Sequence, residues 1–146
     1  MQDTGNVRSK EQLESMEKVK AAGVCLFCEE GMRILGKRKL LETISWFVTD
    51  NDFPYEGSVT HVLAIPKRHV IKPEELTDTE LLELFRELSP LVQKEFKLDG
   101  YTLLFRAGNT KKTGATLHHL HVHFINGVEK THKDHPKVVA TVGYQK

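Results

Sequence analysis

The chain has 146 residues, enough for one domain with a buried core, and its 21 basic and 20 acidic side chains leave a formal net charge of +1. So even a balance argues against a dedicated nucleic-acid binder, and no apolar run approaches the roughly 20 residues of a membrane span. The polar, mixed-charge stretch from Met1 to Lys10 does not read as a secretory signal, so the expectation is a soluble, cytoplasmic protein with neither nucleic acid nor membrane as partner.

Residues 1–9 read as a flexible N-terminus. From Lys10 to Ala22, Leu13, Met16 and Val19 recur at helical spacing and Gly23 ends the run, which predicts a short helix. Cys25-Leu26-Phe27-Cys28 follows. From Lys39 to Val48 the texture is that of β structure, with Ile44, Trp46, Phe47 and Val48 close together. A turn at Asp50 to Pro54 and a loop ending at Gly57 lead to a strand, His61 to Ile65, stopped by Pro66. Thr77 and Glu80 form a capping box that opens the strongest helix, whose stripe is Leu81, Leu84, Phe85, Leu88 and Val92. Pro90 is expected to kink or end a segment of it. Asp99-Gly100 turns into a strand, Tyr101 to Phe105. A polar loop from Ala107 to Thr113 precedes a last strand, Leu117 to Ile125, and Val138 to Val142 suggests a short strand in the 127–146 tail. This order predicts a single α+β domain over residues 1–146, with helices packed on one side of a sheet.

Six of the eight histidines cluster around two of these strands: His61 and His69, and His118, His119, His121 and His123. Strand residues two apart share a face about 6.5 to 7 Å from one another, so His119, His121 and His123 share one face while Leu120, Val122 and Phe124 take the other. His118 falls on the apolar side and reads as structural. Aligned imidazoles suit phosphoryl chemistry, because a neutral nitrogen can attack phosphorus while neighbours steady the oxygens. A catalytic zinc held by two of these histidines is the rival reading. The CxxC pair stays open between a redox pair, two buried thiols and half of a metal site. Thr131 to His135, despite its HxxH-like spacing, reads as a polar tail.

His119-Leu120-His121-Val122-His123-Phe124-Ile125 resembles the signature of the histidine-triad (HIT) family. Thr60 to His69 is similar to a second block of that family. Asn109 with Gly114-Ala115-Thr116-Leu117 resembles its phosphate-side loop, and Cys25 to Cys28 resembles the zinc-bearing start of many bacterial members. The resemblance implies a five-stranded antiparallel sheet with helices packed on it, and a nucleotide hydrolase with His121 as nucleophile at the α-phosphate. It implies that His123 and His61 contact the phosphate, that Asn109 and Thr116 help hold it, and that Thr116 aids the leaving group. Gly114 and Ala115 belong to the same loop, and Asp50, Asn51 and Asp52 are the candidates for the ribose. It also implies a structural zinc on Cys25, Cys28, His69 and His119, an adenine nucleotide as substrate (a dinucleoside polyphosphate or a nucleoside phosphoramidate), and a possible homodimer. Histidine rather than glutamine at position 123 favours hydrolysis over nucleotidyl transfer or phosphorolysis. Ala115-Thr116 stands where many hydrolytic members have glutamine-serine, which keeps a nucleotide-binding regulatory domain in view as the alternative.

Overall fold

The computed structural model describes residues 2–131 and 136–146, so the His132 and His135 spacing lies outside it. Five strands form one antiparallel sheet in the order β1-β2-β3-β5-β4: β1 (Leu41–Glu42), β2 (Trp46–Asp50), β3 (Thr60–Pro66), β4 (Thr102–Phe105) and β5 (Val122–Asn126). Five α-helices accompany them: α1 (Lys10–Ala21), α2 (Glu29–Ile34), α3 (Asp78–Glu83), α4 (Ser89–Phe96) and α5 (Thr110–Thr113). No described helix is long and apolar enough to cross a membrane.

The sheet is covered on both faces, a correction to the one-sided packing expected from the sequence. Trp46, Val48, Val62, Ala64, Val122 and Phe124 meet Leu84, Leu88 and Val92 of the long helical segment on one face. Phe47, Leu63 and Ile65, one residue out of phase, meet Met16 and Val19 of α1 and Met32 of α2 on the other. Strands buried on both sides read as continuous apolar runs rather than alternations, which is how Trp46-Phe47-Val48 and Val62-Leu63-Ala64-Ile65 are written. The capping box is formed, with Thr77 Oγ1 accepting from Glu80 N and a Glu80 carboxylate oxygen accepting from Thr77 N. Pro90 falls in the first turn of α4, directly after a π-helical segment, Leu84–Leu88. Proline lacks an N–H and crowds the carbonyl four residues back, and widening the preceding turn accommodates it without breaking the helix.

Four expectations change. The N-terminal residues are tied down, since Asp3 N donates to Thr116 O and the buried Asn6 amide donates to the carbonyls of Thr110 and Ala115. The polar loop contains α5, capped by Asn109 and closed by Gly114 in the left-handed conformation that glycine adopts without strain. β5 begins at Val122 rather than Leu117, because the preceding stretch bonds elsewhere: Leu120 N donates to Val70 O. Val138 to Val142 forms no strand.

Candidate active site and metal centre

The alternation of His119, His121 and His123 with Leu120, Val122 and Phe124 survives although only His123 lies in β5. The apolar three enter the first core, and the three imidazoles are buried on the opposite face. His61 on β3 reaches the same place because its strand pairs antiparallel with β5, Leu63 lying opposite His123 and His61 opposite Ile125.

Hydrogen bonding assigns each proton. His121 Nδ1 lies 2.8 Å from the His119 carbonyl and therefore carries the proton that it donates there, which leaves the Nε2 lone pair free. Tyr55 N donates to His61 Nδ1 at 3.0 Å, so the His61 proton sits on Nε2. His61 Nε2 lies 2.8 Å from His123 Nδ1 and donates to it, which places the His123 proton on Nε2. That last N–H is buried and has no partner among the described residues. Two neighbouring imidazoles thus present opposite characters, an acceptor nitrogen on His121 and a donor on His123. Burial lowers the pKa of all three, to about 4 for His61 and well below 6.5 for His123, with nearby Arg8, Arg106 and the other imidazoles adding to the effect. They are neutral at pH 7.

Two adjoining cavities meet at these residues. One is lined by Gly114, Ala115 and Thr116 together with Arg8, Tyr55, Arg106, His121 and His123. The other is more apolar, with Met16, Phe27, Phe53 and Leu63, and also holds Asn51 and Asp52. Asn51 Oδ1 accepts from Phe53 N at 3.0 Å, which leaves its Nδ2 3.0 Å from His61 Nε2, two donors that form no hydrogen bond with one another, and Asp52 pairs with Lys37 at 2.6 Å. Asn109 is not brought to either cavity; its side chain accepts from Lys111 N as the cap of α5. Three neighbours of the histidines had no signal in the sequence. Tyr55 stacks nearly parallel to His123, with ring centroids 5.9 Å apart. Arg8 lies over the Tyr55 ring at 4.9 Å, and Arg106 Nη2 donates to Tyr55 Oη at 2.8 Å. Lone arginines in loops carry no periodicity or motif, so only the fold brings them here.

Cys25, Cys28, His69 and His119 converge, their candidate ligand atoms all within 4.8 Å of one another. His119 Nε2 donates to the Pro66 carbonyl at 2.9 Å, which turns its Nδ1 lone pair toward Cys25 Sγ at 3.4 Å. His69 Nδ1 lies 3.4 Å from Cys28 Sγ. Burial beside Cys25 pushes the Cys28 thiol up to about 11, the reverse of the depressed pKa of a redox-active CxxC. Two thiols and two oriented imidazole nitrogens are the donor set of a closed tetrahedral metal site, and the residues fit one. The knuckle needs Gly31: a Cβ there would lie 2.1 Å from the Cys25 carbonyl oxygen. Phe27, inside the CxxC, packs against His121 with ring centroids 5.1 Å apart.

A bis(5'-adenosyl)-triphosphatase of Dictyostelium discoideum is 37% identical over a 68-residue alignment, with coverage of 44% of this chain and 44% of that protein, so the match spans under half of the relative. A histidine triad nucleotide-binding protein from Sulfolobus tokodaii has a similar structure, with a TM-score of 0.60 and 28% identity, covering 84% of this chain and 81% of that one. A HIT family hydrolase from Clostridium thermocellum gives a TM-score of 0.59 at 26% identity, covering 79% and 96%. The model of the HIT domain matches residues 37–130, well over half of the sequence, and the chain belongs to the HIT domain family.

Proposed function

We propose that the chain is a nucleotide hydrolase that cleaves a nucleoside phosphate derivative at its α-phosphorus through a nucleotidyl-His121 intermediate. The observation that carries this reading is the pair of complementary nitrogens, a free lone pair on His121 Nε2 beside an unpartnered N–H on His123. His121 Nε2 attacks phosphorus, forming a P–N bond. The bond from phosphorus to the bridging atom breaks, and its electron pair leaves with the departing group, beside which Thr116 lies. His123 Nε2–H donates to a phosphate oxygen, where negative charge builds in the transition state, and His61 holds that proton in place. Water then attacks phosphorus, the P–N pair returns to His121, and a proton goes to solvent with release of the nucleoside monophosphate.

The apolar cavity receives the nucleoside, and Asn51 and Asp52, which line it, bind its hydroxyls. Gly114 and Ala115 border the phosphate chain, and Asn109 shapes that loop as the cap of α5. The Dictyostelium relative's name favours an adenine nucleotide, and diadenosine triphosphate is the first substrate to try. Cys25, Cys28, His69 and His119 hold zinc, whose part is structural: it fixes the knuckle and the backbone on which His121 sits. The protein is cytoplasmic in this reading, where reducing conditions keep both thiols available as ligands. It works as a homodimer.

Turnover of a panel of adenosine and guanosine polyphosphates and phosphoramidates tests the mechanism. Wild type is expected to hydrolyse at least one of them, and His121→Ala to lose on the order of a thousandfold or more. A peptide containing His121 should carry an acid-labile nucleotidyl group after rapid quenching. Undiminished turnover by His121→Ala would overturn the mechanism, and nucleotide binding without turnover by wild type would make this a binding module.

A further inference from the structure

Arg8 and Arg106 lie beyond the chemistry just described. Both line the cavity that holds Thr116, His121 and His123, and no carboxylate lines it. Among the described residues neither forms an ion pair. Their hydrogen bonds go to neutral groups: Arg8 donates to the Phe53 carbonyl at 2.9 Å, and Arg106 donates to the carbonyls of Thr113 and Thr141 and to the Tyr55 hydroxyl. One aromatic ring organises the pair, since Tyr55 carries Arg8 on its face and receives Arg106 at its hydroxyl while packing on both His61 and His123. Each charge is therefore aimed and braced but left uncompensated. Arg8 stands at the boundary and lines the adjoining cavity as well, whereas Arg106 lines only the first of the two; the rest of the adjoining wall, with Met16, Phe27, Leu63 and the Lys37–Asp52 pair, suits a nucleoside.

We propose that Arg8 and Arg106 form a subsite for the leaving group, selecting substrates whose leaving group is a phosphate chain over those that release an uncharged amine. The inference rests on His121 as the nucleophile. With the nucleoside in the apolar cavity and phosphorus at His121, the departing group extends into the arginine-lined cavity. When the P–O bond breaks, its electron pair stays on the bridging oxygen of the departing nucleoside diphosphate, and two guanidinium groups nearby stabilise that gain of negative charge. An amine leaving group takes up a proton as it departs and gains nothing from fixed cations. The class singled out is the dinucleoside polyphosphates.

Calorimetric titration of the full chain with inorganic tripolyphosphate, and separately with adenosine, reads the subsite without turnover. Arg8→Gln and Arg106→Gln are each expected to weaken tripolyphosphate binding by about tenfold and adenosine binding by less, with an unchanged Tm as the check on the fold. Because Arg106 also ties down Thr113 and Thr141, Arg106→Lys separates charge from scaffolding, and it should recover part of the loss. In kinetics, the ratio of kcat/KM for diadenosine triphosphate to that for an adenosine phosphoramidate of an uncharged amine should fall about tenfold in both glutamine variants. An unchanged ratio, unchanged tripolyphosphate affinity, or an equal loss for adenosine would overturn the proposal. If wild type turns over neither substrate but binds tripolyphosphate through the two arginines, the hydrolase reading falls and the anion subsite stands.

Discussion

His61, His121 and His123 are equally buried, yet their protons sit on different nitrogens, and each placement follows from a backbone group: the Tyr55 N–H for His61 and, through it, for His123, and the His119 carbonyl for His121. The same burial makes the site sensitive to acid. His61 has a folded-state pKa of about 4 against its ordinary 6.5, so between these values the unfolded chain binds the extra proton. Stability from keeping this imidazole neutral is complete above about 6.5 and is lost as pH falls toward about 4. The denaturant midpoint should therefore drop between pH 7 and pH 5, and His61→Gln, which has no proton to bind, should show a shallower drop. Equal slopes in the two proteins would remove His61 from the acid response. The alternation of histidines was legible in the sequence because it is local. The proton assignments of His61 and His123 were not, because they depend on Tyr55, His61 and His123 meeting in space; that of His121 rests on a carbonyl two residues back, whose direction only the folded backbone sets.

At the level of elements, the CxxC knuckle joins the N-terminal helices to the histidine segment. Cys28 caps α2, Gly31 lets that helix approach the Cys25 carbonyl, and Phe27 carries the packing to His121. A metal bound to the folded form alone, at about a thousandfold over its Kd, adds about 4 kcal/mol, roughly 10 °C in Tm for a chain of this size. Chelation should lower Tm by about that much, Cys28→Ser should show the low Tm without chelator, and elemental analysis should find about one zinc per chain in wild type only. A chelator-insensitive Tm with no bound metal would leave two half-buried free thiols as the better account. Elements that depend on neighbours were misread from sequence. Val138-Val139-Ala140-Thr141-Val142 has strand propensity, but no sheet edge pairs with it, and propensity without a ladder does not make a strand. In α5 the local signals were present, Asn109 as cap and Gly114 as stop, around a turn too short and polar to show a stripe.

For the whole molecule, the sheet order explains both where the site lies and what is left uncovered. β3 and β5 are central and carry His61 and His123, whereas β4 is an edge that pairs only with β5 among the described residues. Tyr101 and Phe105, at and beside that edge, are 36% and 44% exposed, and Leu82, Phe85 and Leu91 on the neighbouring helical segment are 53%, 53% and 42% exposed. An unprotected edge bordered by large apolar side chains is a template for another strand. A second copy would satisfy it, because antiparallel pairing of β4 with its own symmetry mate would continue the sheet across a twofold axis and bury the same side chains on both partners. A stable contact of this kind needs roughly 1,600 Å² in total, more than one short strand supplies, so the exposed helical face must be part of it. Sedimentation at micromolar concentration should therefore give twice the 16.7 kDa chain mass. Phe105→Glu, which puts a charge where the contact would bury an apolar ring, should weaken association by about tenfold or more while the circular dichroism of the fold persists. A monomeric wild type would mean that β4 is an edge the protein tolerates; a dimer indifferent to Phe105→Glu would move the interface elsewhere.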